Sequence, residues 1–225
     1  MSAQVGYKRT MPHRPPSRSE PSTRTARAAR KKDAEVGPAP SRSALHEAAL
    51  AHLARSAATS TTLGRALERK VAAWARRAAQ AAHDPELIEA NVVACRASIE
   101  AILTRFREVG LLNDAAYAKS RARSLSRSGR SRRAISAHLA AKGIDAETAR
   151  DVLPADVDEL AAALAFARKR RIGPYARELP VDRAAKQKAL AAMARAGFGW
   201  STSERALGMD REQADEHLDA ARMRD

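Results

Sequence analysis

Cysteine and aromatic side chains are scarce in this chain, and each scarcity removes a class of protein. One cysteine, Cys95, among 225 residues permits neither an intramolecular disulfide nor a cysteine-based zinc site. Two Trp, three Tyr and three Phe limit the size of any core and argue against the stacked-base platforms of single-strand-binding folds. No run of about 18 apolar residues occurs, so no transmembrane helix is expected. The first forty residues lack the apolar segment of a secretory signal, and a cytoplasmic location is expected. Acids are also short: 26 stand against 41 Lys and Arg, a net charge of +15 and a pI near 10.9. Such a field favours a polyanionic partner: nucleic acid, a membrane surface or an acidic protein.

Catalytic signatures are missing as well. No Walker-type phosphate loop and no dinucleotide-binding glycine pattern occurs. The six histidines (His13, His46, His52, His83, His138 and His217) show no ligand spacing. His46-Glu47 begins like a zincin motif, but Leu50 stands where the second histidine would be. Acid pairs such as Asp158-Glu159 fall at helix starts, where the helix dipole accounts for them. No catalytic residue, cofactor or metal is expected, and the chain reads as a non-enzyme.

What is present is helix. Residues 114–127 carry Tyr117, Ala118, Arg121 and Leu125 at helical spacing. Ser131 then caps a second helix, with Ile135 and Leu139 on one face and Gly143 as its left-handed terminator. Asp145 caps a third, which stops at Pro154. Leu125, Ile135 and Leu139 are spaced +10 and +14; Leu53, Leu63 and Leu67 repeat that spacing 72 residues earlier. Met193, Ser203 and Leu207 repeat it 68 residues later, with Ser203 in the middle place. Recurrence of this kind marks a helical repeat protein, whose units bury apolar faces partly against each other. Asp84-Pro85 opens the best amphipathic helix, apolar from Leu87 through Phe106, with Cys95 on its stripe as a core residue. Asp156, Asp182 and Asp210 are expected to cap later helices, and Ser201 with Glu204 to form a capping box. No strand pattern is convincing. The expected fold is all-α: tandem three-helix repeats forming an elongated curved array. The expected divisions are a disordered basic tail over 1–40, a first repeat over 41–83, a connecting helix with the central repeat over 84–155, and a third repeat over 156–225.

The tail carries nine basic residues against three acids, too polar to bury a core. The densest charge lies centrally. Lys119, Arg121, Arg123, Arg127, Arg130, Arg132 and Arg133 fall within fifteen residues that contain no acid. Arg168, Lys169, Arg170 and Arg171 form a second patch. Both suit phosphate or an acidic protein groove. The helix–turn–helix setting also suggests a DNA-reading helix, but its second helix has no Asn or Gln for adenine, leaving Arg132 or Arg133 for guanine.

The stretch G-L-L-N-D-A-A-Y-A (110–118), the basic helix after it, and G-R-S-R-R-A-I-S-A-H-L-A-A-K-G-I-D together resemble the RecX family, regulators of the RecA recombinase. The similarity is strongest over 108–175 and weaker over 43–224. It implies helical repeats lying in the groove of the RecA–single-stranded DNA filament, blocking strand exchange and coprotease activity. By position Asp114, Tyr117, Ala118, Ile135, Leu139, Lys142 and Gly143 match the family pattern and read as structural. Arg121, Arg127, Arg130, Arg132 and Arg133 match its basic surface. The full set of candidate contacts adds Arg123, Lys142 and the 168–171 run. Asn113 departs from the family's usual acid, and Gly197-Phe198-Gly199-Trp200 makes the last repeat irregular. The implied partners are the RecA filament and single-stranded DNA, with duplex DNA as an alternative substrate, bound by a monomer. The rival reading is a sequence-independent, nucleoid-type DNA-binding protein that acts without RecA.

Overall fold

Asp84 and Pro85 open the longest helix, and its apolar stripe decides how the first part of the chain packs. In this computed structural model the Asp84 carboxylate accepts from the Glu86 N–H at 2.9 Å, and Pro85 takes the first helical position, where no donor is needed. The structure describes residues 36–153, 158–177 and 182–223. Contacts divide the chain into Met1–Gly37 and Pro38–Asp225, and the helices belong to the second of these. The elements are α1 (Arg42–Arg55), α2 (Ser60–Gln80), α3 (Pro85–Glu108), α4 (Asp114–Arg127), α5 (Arg132–Ala141) and α6 (Ala146–Asp151). Then come α7 (Glu159–Arg170), a 3-10 turn (Gly173–Tyr175), α8 (Arg183–Arg195), α9 (Trp200–Gly208) and α10 (Arg211–Met223). Among the described residues there is no strand, and no helix is long and apolar enough to cross a membrane. The expected tail lies almost wholly outside the described residues, as do the expected stop at Pro154 and cap at Asp156.

Three separate cores form. Cys95, Ile99, Ile102, Leu103 and Phe106 of α3 close over Leu45 of α1 and Leu63, Leu67 and Val71 of α2. The long helix therefore shares the first core, whereas its sequence position grouped it with the central helices. An amphipathic stripe identifies a buried face without saying which neighbour covers it. Cys95 is buried with its Sγ 3.3 Å from the Pro40 carbonyl, and burial pushes its thiol pKa up, as suits an inert core residue. The central core joins Ala118, Ala122 and Leu125 of α4, Ile135 and Leu139 of α5, and Ile144, Ala149 and Leu153 around α6. The third joins Leu160 and Leu164 of α7, Tyr175, Met193 of α8, Phe198, Ala206 of α9, and Ala214 and Leu218 of α10. Two polar contacts hold α10 on: the Tyr175 hydroxyl donates to Asp215 at 2.8 Å, and His217 Nε2 lies 2.9 Å from Asp158. Burial, then the Asp215 carboxylate, pushes the Tyr175 pKa up to about 12.

The cores are tied together by one joint used twice. Thr59 and Ser131 cap α2 and α5, and both are completely buried. Besides accepting from their own first turns, they donate outward: Thr59 to the Lys142 carbonyl at 2.6 Å, Ser131 to the Ala196 carbonyl at 2.7 Å. The next residue repeats the pairing, since Ser60 N–H donates to Asp114 at 2.8 Å and Arg132 N–H to Glu159 at 3.4 Å. A left-handed glycine completes each joint, Gly143 against Thr61 and Gly197 against Ser131. Each contact satisfies an orphan donor or acceptor of a helix end, which is why buried polar groups are tolerated there. Asp114, read from sequence as structural, is one of these ties.

The joints also correct the repeat register. They make α5 equivalent to α2, and the turn after α8 equivalent to the turn after α5. By contact α8 therefore corresponds to α5, whereas the +10/+14 spacing set Met193 of α8 opposite Leu125 of α4. Breaks of four residues separate α1 from α2, α4 from α5 and α8 from α9. The same four-residue break separates α2 from α3 and α5 from α6. Leu139, Ala149 and Leu153 also stand at +10 and +14, so the spacing follows the break and does not single out the repeat unit. Ser203 nevertheless occupies a buried position, its hydroxyl donating to the Gly199 carbonyl at 2.8 Å.

Caps follow the sequence closely, with two exceptions. The first is α7, which is capped by Asp158 through the Ala161 N–H at 2.9 Å and so starts later than the expected cap at Asp156 implied. Asn113 caps α4 through the Ala116 N–H at 2.8 Å, so the family's acid is not needed there. Asp210 and Gln213 bond reciprocally at the start of α10. The Ser201–Glu204 box does not form, because α9 begins two residues earlier, at Trp200, with Gly199 as an N-cap that has no side-chain bond. Phe198 is anchored in the core immediately before it, so the chain turns into helix before Ser201 can serve.

Candidate partner and nucleic-acid interface

Helix α4 offers two cationic stripes, because its core face takes Ala118, Ala122 and Leu125. Lys119, Arg123 and Arg127, four apart, lie exposed on one side. On the other, Arg121 is exposed beside α5, and its Nε donates to His138 Nε2 at 3.3 Å. Burial, followed by the charges of Arg121, Lys142 and Arg130, holds the His138 pKa below the usual histidine value. One imidazole thus reports three cations on a single surface of the central unit. A neutral His138 is what lets Arg121 donate to it.

The pH dependence follows. A histidine whose pKa is lowered by folding binds its proton more weakly folded than unfolded. Its contribution to stability is whole above the unfolded value, near 6.5, and is lost as pH falls toward the lowered folded value. The urea midpoint should fall between pH 7.5 and 5.5, and His138→Gln should remove part of that fall. An equal fall in both proteins would show that His138 does not feel these charges.

The remaining candidates divide by what they touch. Arg132 is half-buried, and its guanidinium donates to the Leu153 carbonyl at 2.8 Å, closing the end of α6. This gives Arg132 a role in holding the central unit together that sequence had not separated from contact. Arg133 is exposed, its stem passing close to Gly197 at the second joint. Both arginines occupy the first turn of α5, which has no acid, where a cation costs roughly 0.3–1 kcal/mol against the dipole. Helix stability does not account for Arg133. Lys142 is half-buried and lends its carbonyl to Thr59.

The 168–171 run is split by helical geometry, since residues two apart point to opposite sides of a helix. Arg170 sits over the Phe166 ring, 5.6 Å from its centroid. The backbone of Phe166 is where Gly129, in the α4–α5 turn, makes its closest approach. Arg170 therefore joins the central surface one helical turn from that contact. Arg168 instead lies near Tyr175, where its charge partly offsets the raised pKa of the phenol. Lys169 is exposed, and Arg171 takes a left-handed conformation (φ 56°) that ends α7. Among the described residues, Arg121, Arg123, Arg127, Arg130, Arg133 and Arg170 come within 4 Å of no carboxylate.

A surface missed from sequence lies between α2 and α3. Arg65, Glu68 and Arg69 of α2 and Arg96 of α3 line a hollow of about 450 Å³, which adjoins a second of about 350 Å³ bounded by Arg65, Glu68, Glu100 and Arg107. The four-residue spacing of Arg65 and Arg69 was the available signal. Among the described residues no three of His, Cys, Asp and Glu converge as a metal site would need.

Helix-end joints between cores, with exposed arginines along the central repeat and its joint, define an all-α helical-repeat protein. A family model described as RecX, second three-helix domain, matches residues 113–153, the span of α4 to α6. A Regulatory protein RecX of Myxococcus xanthus is 39% identical over 166 residues, covering 72% of this chain and 83% of that protein. Its namesake from Agrobacterium fabrum is 41% identical over 110 residues, 49% of this chain and 59% of that protein. The crystal structure of RecX from Lactobacillus salivarius matches with a TM-score of 0.50 at 19% identity, over 80% of this chain and 97% of that one, a likeness of fold. The chain belongs to the RecX family of regulatory proteins.

Proposed function

We propose that this chain inhibits RecA recombinase by lying in the groove of the RecA–single-stranded DNA filament and blocking strand exchange and coprotease activity. The observation that carries this reading is the row of exposed cations, running from α4 through Arg130 and Arg133 to Arg170, that meet no carboxylate among the described residues. It lies on the fold of a regulatory family, and α4 to α6 form the matched domain. Contacts at several units would sum, so modest affinity at each suffices for tight binding along a filament. The protein acts by occupancy, without a reaction of its own.

Added to a preformed filament, the chain should suppress RecA ATPase and strand exchange together at substoichiometric or equal ratios. Undiminished ATPase and exchange at saturating chain would refute it. The hollow between α2 and α3, with Arg65, Arg69, Arg96 and Arg107, favours a second reading in which bare DNA is bound without RecA. In that case loss of these four arginines should weaken binding to DNA of any sequence.

A further inference from the structure

Trp200 is unexplained by anything above. Among the described residues it is the one aromatic with an exposed side chain, at 67% relative accessibility. Trp74 is buried, and Phe198, two residues before Trp200, fills the third core and meets the Phe166 ring at 5.6 Å. The core therefore does not need the indole, and tryptophan is a costly side chain to leave in water.

Its placement is built. Gly197 (φ +88°) approaches Ser131 so closely that a Cβ there would stand 2.7 Å from the Ser131 hydroxyl. That hydroxyl bonds to the Ala196 carbonyl at 2.7 Å, and the Arg133 stem packs beside Gly197. Three residues of chain span at most about 11 Å, so the Trp200 backbone cannot stray far from this joint. The second joint thus holds an exposed indole from the third unit near the cations that begin α5.

We propose that Trp200 stacks on an unpaired base of single-stranded nucleic acid whose phosphates are held by Arg133 and Arg130. An indole face beside guanidinium groups is complementary to an exposed base next to its phosphate, and stacking tolerates any base sequence. Duplex DNA and base-free polyanions offer charge without an open base face. The inference deepens the proposed function by naming a contact with DNA rather than with protein, and rests on that reading only for the source of the strand.

The test uses the full chain and a short oligothymidylate. Because Trp74 is buried, quenching of the exposed emission reports Trp200. Binding should quench wild-type fluorescence, and this component should be absent from Trp200→Phe. Trp200→Ala should weaken oligothymidylate binding about five- to a hundred-fold, the range of one base–aromatic stack. Trp200→Phe should recover part of the loss, and heparin should bind both variants as it binds wild type. Equal oligothymidylate affinity in wild type and Trp200→Ala would overturn the proposal. So would an equal loss for heparin, or a loss seen only with the RecA filament, which would make Trp200 a protein contact. In that last case the proposed function stands. Stacking on bare oligothymidylate without preference for the filament would support Trp200 as a base contact and refute the RecA reading.

Discussion

Gly197→Ala should destabilise the protein by about 2–6 kcal/mol, comparable to truncating a large buried apolar side chain. The position needs φ +88°, which costs a residue with a Cβ about 1–3 kcal/mol. The new methyl would also meet the Ser131 hydroxyl, disturbing its bond to the Ala196 carbonyl and leaving a buried acceptor unpaired for about 1–3 kcal/mol more. For a chain of this size each kcal/mol moves the melting temperature by about 2–4 °C, so a fall on the order of 10 °C is expected. Gly143→Ala, at the equivalent place in the first joint, should behave alike. Gly208→Ala is the control, since a Cβ there meets nothing within 4 Å. If thermal scans show Gly197→Ala as harmless as Gly208→Ala, the joints do not hold the units together.

Reversing Arg121, Arg130 and Arg133 to glutamate should weaken filament binding on the order of a hundred-fold or more at low salt, with helicity unchanged. All three are exposed and none closes a helix end, which distinguishes them from Arg132, whose bond to Leu153 would confound the result. Each phosphate contact on single-stranded DNA contributes about 0.7 to the slope of log K against log salt, so the slope should shrink by about 2. The same variant should raise the His138 pKa, because two of the three charges that lower it are gone. That shift, read by NMR, shows that the substitutions changed the surface as intended. Wild-type affinity in a variant with a shifted His138 would remove this surface from the mechanism.

How far the sequence could be read divides by the range of the interaction. Helix starts at Asp84, Asn113, Ser131, Asp145, Asp182 and Asp210 are local chemistry, and each aspartate, asparagine or serine accepts from its own first turn. The all-α class and the central core of Leu125, Ile135 and Leu139 follow from the same periodicity. What failed is tertiary. Nothing in the pattern of α3 says that Leu63 and Val71 will cover it. The +10/+14 spacing reflects a four-residue break, so it could not distinguish α4 from α5 as the counterpart of α8. Ser131 was legible as a cap, but its second bond, to a carbonyl 65 residues away, was not. The basic run looked uniform in sequence; only packing separated Arg132, which ties α6, from Arg133 and Arg130, which face outward. Trp200 was passed over because the paucity of aromatics says nothing about where the last one points.

The measurement that tests the central claim most directly compares binding of the full chain to bare single-stranded DNA and to a RecA-coated filament at two salt concentrations, with RecA ATPase followed in parallel. The proposed function predicts a preference for the filament that survives the higher salt, with ATPase suppressed. Equal binding to both that collapses as salt rises, with ATPase untouched, would contradict it and leave phosphate contacts alone as the basis of binding.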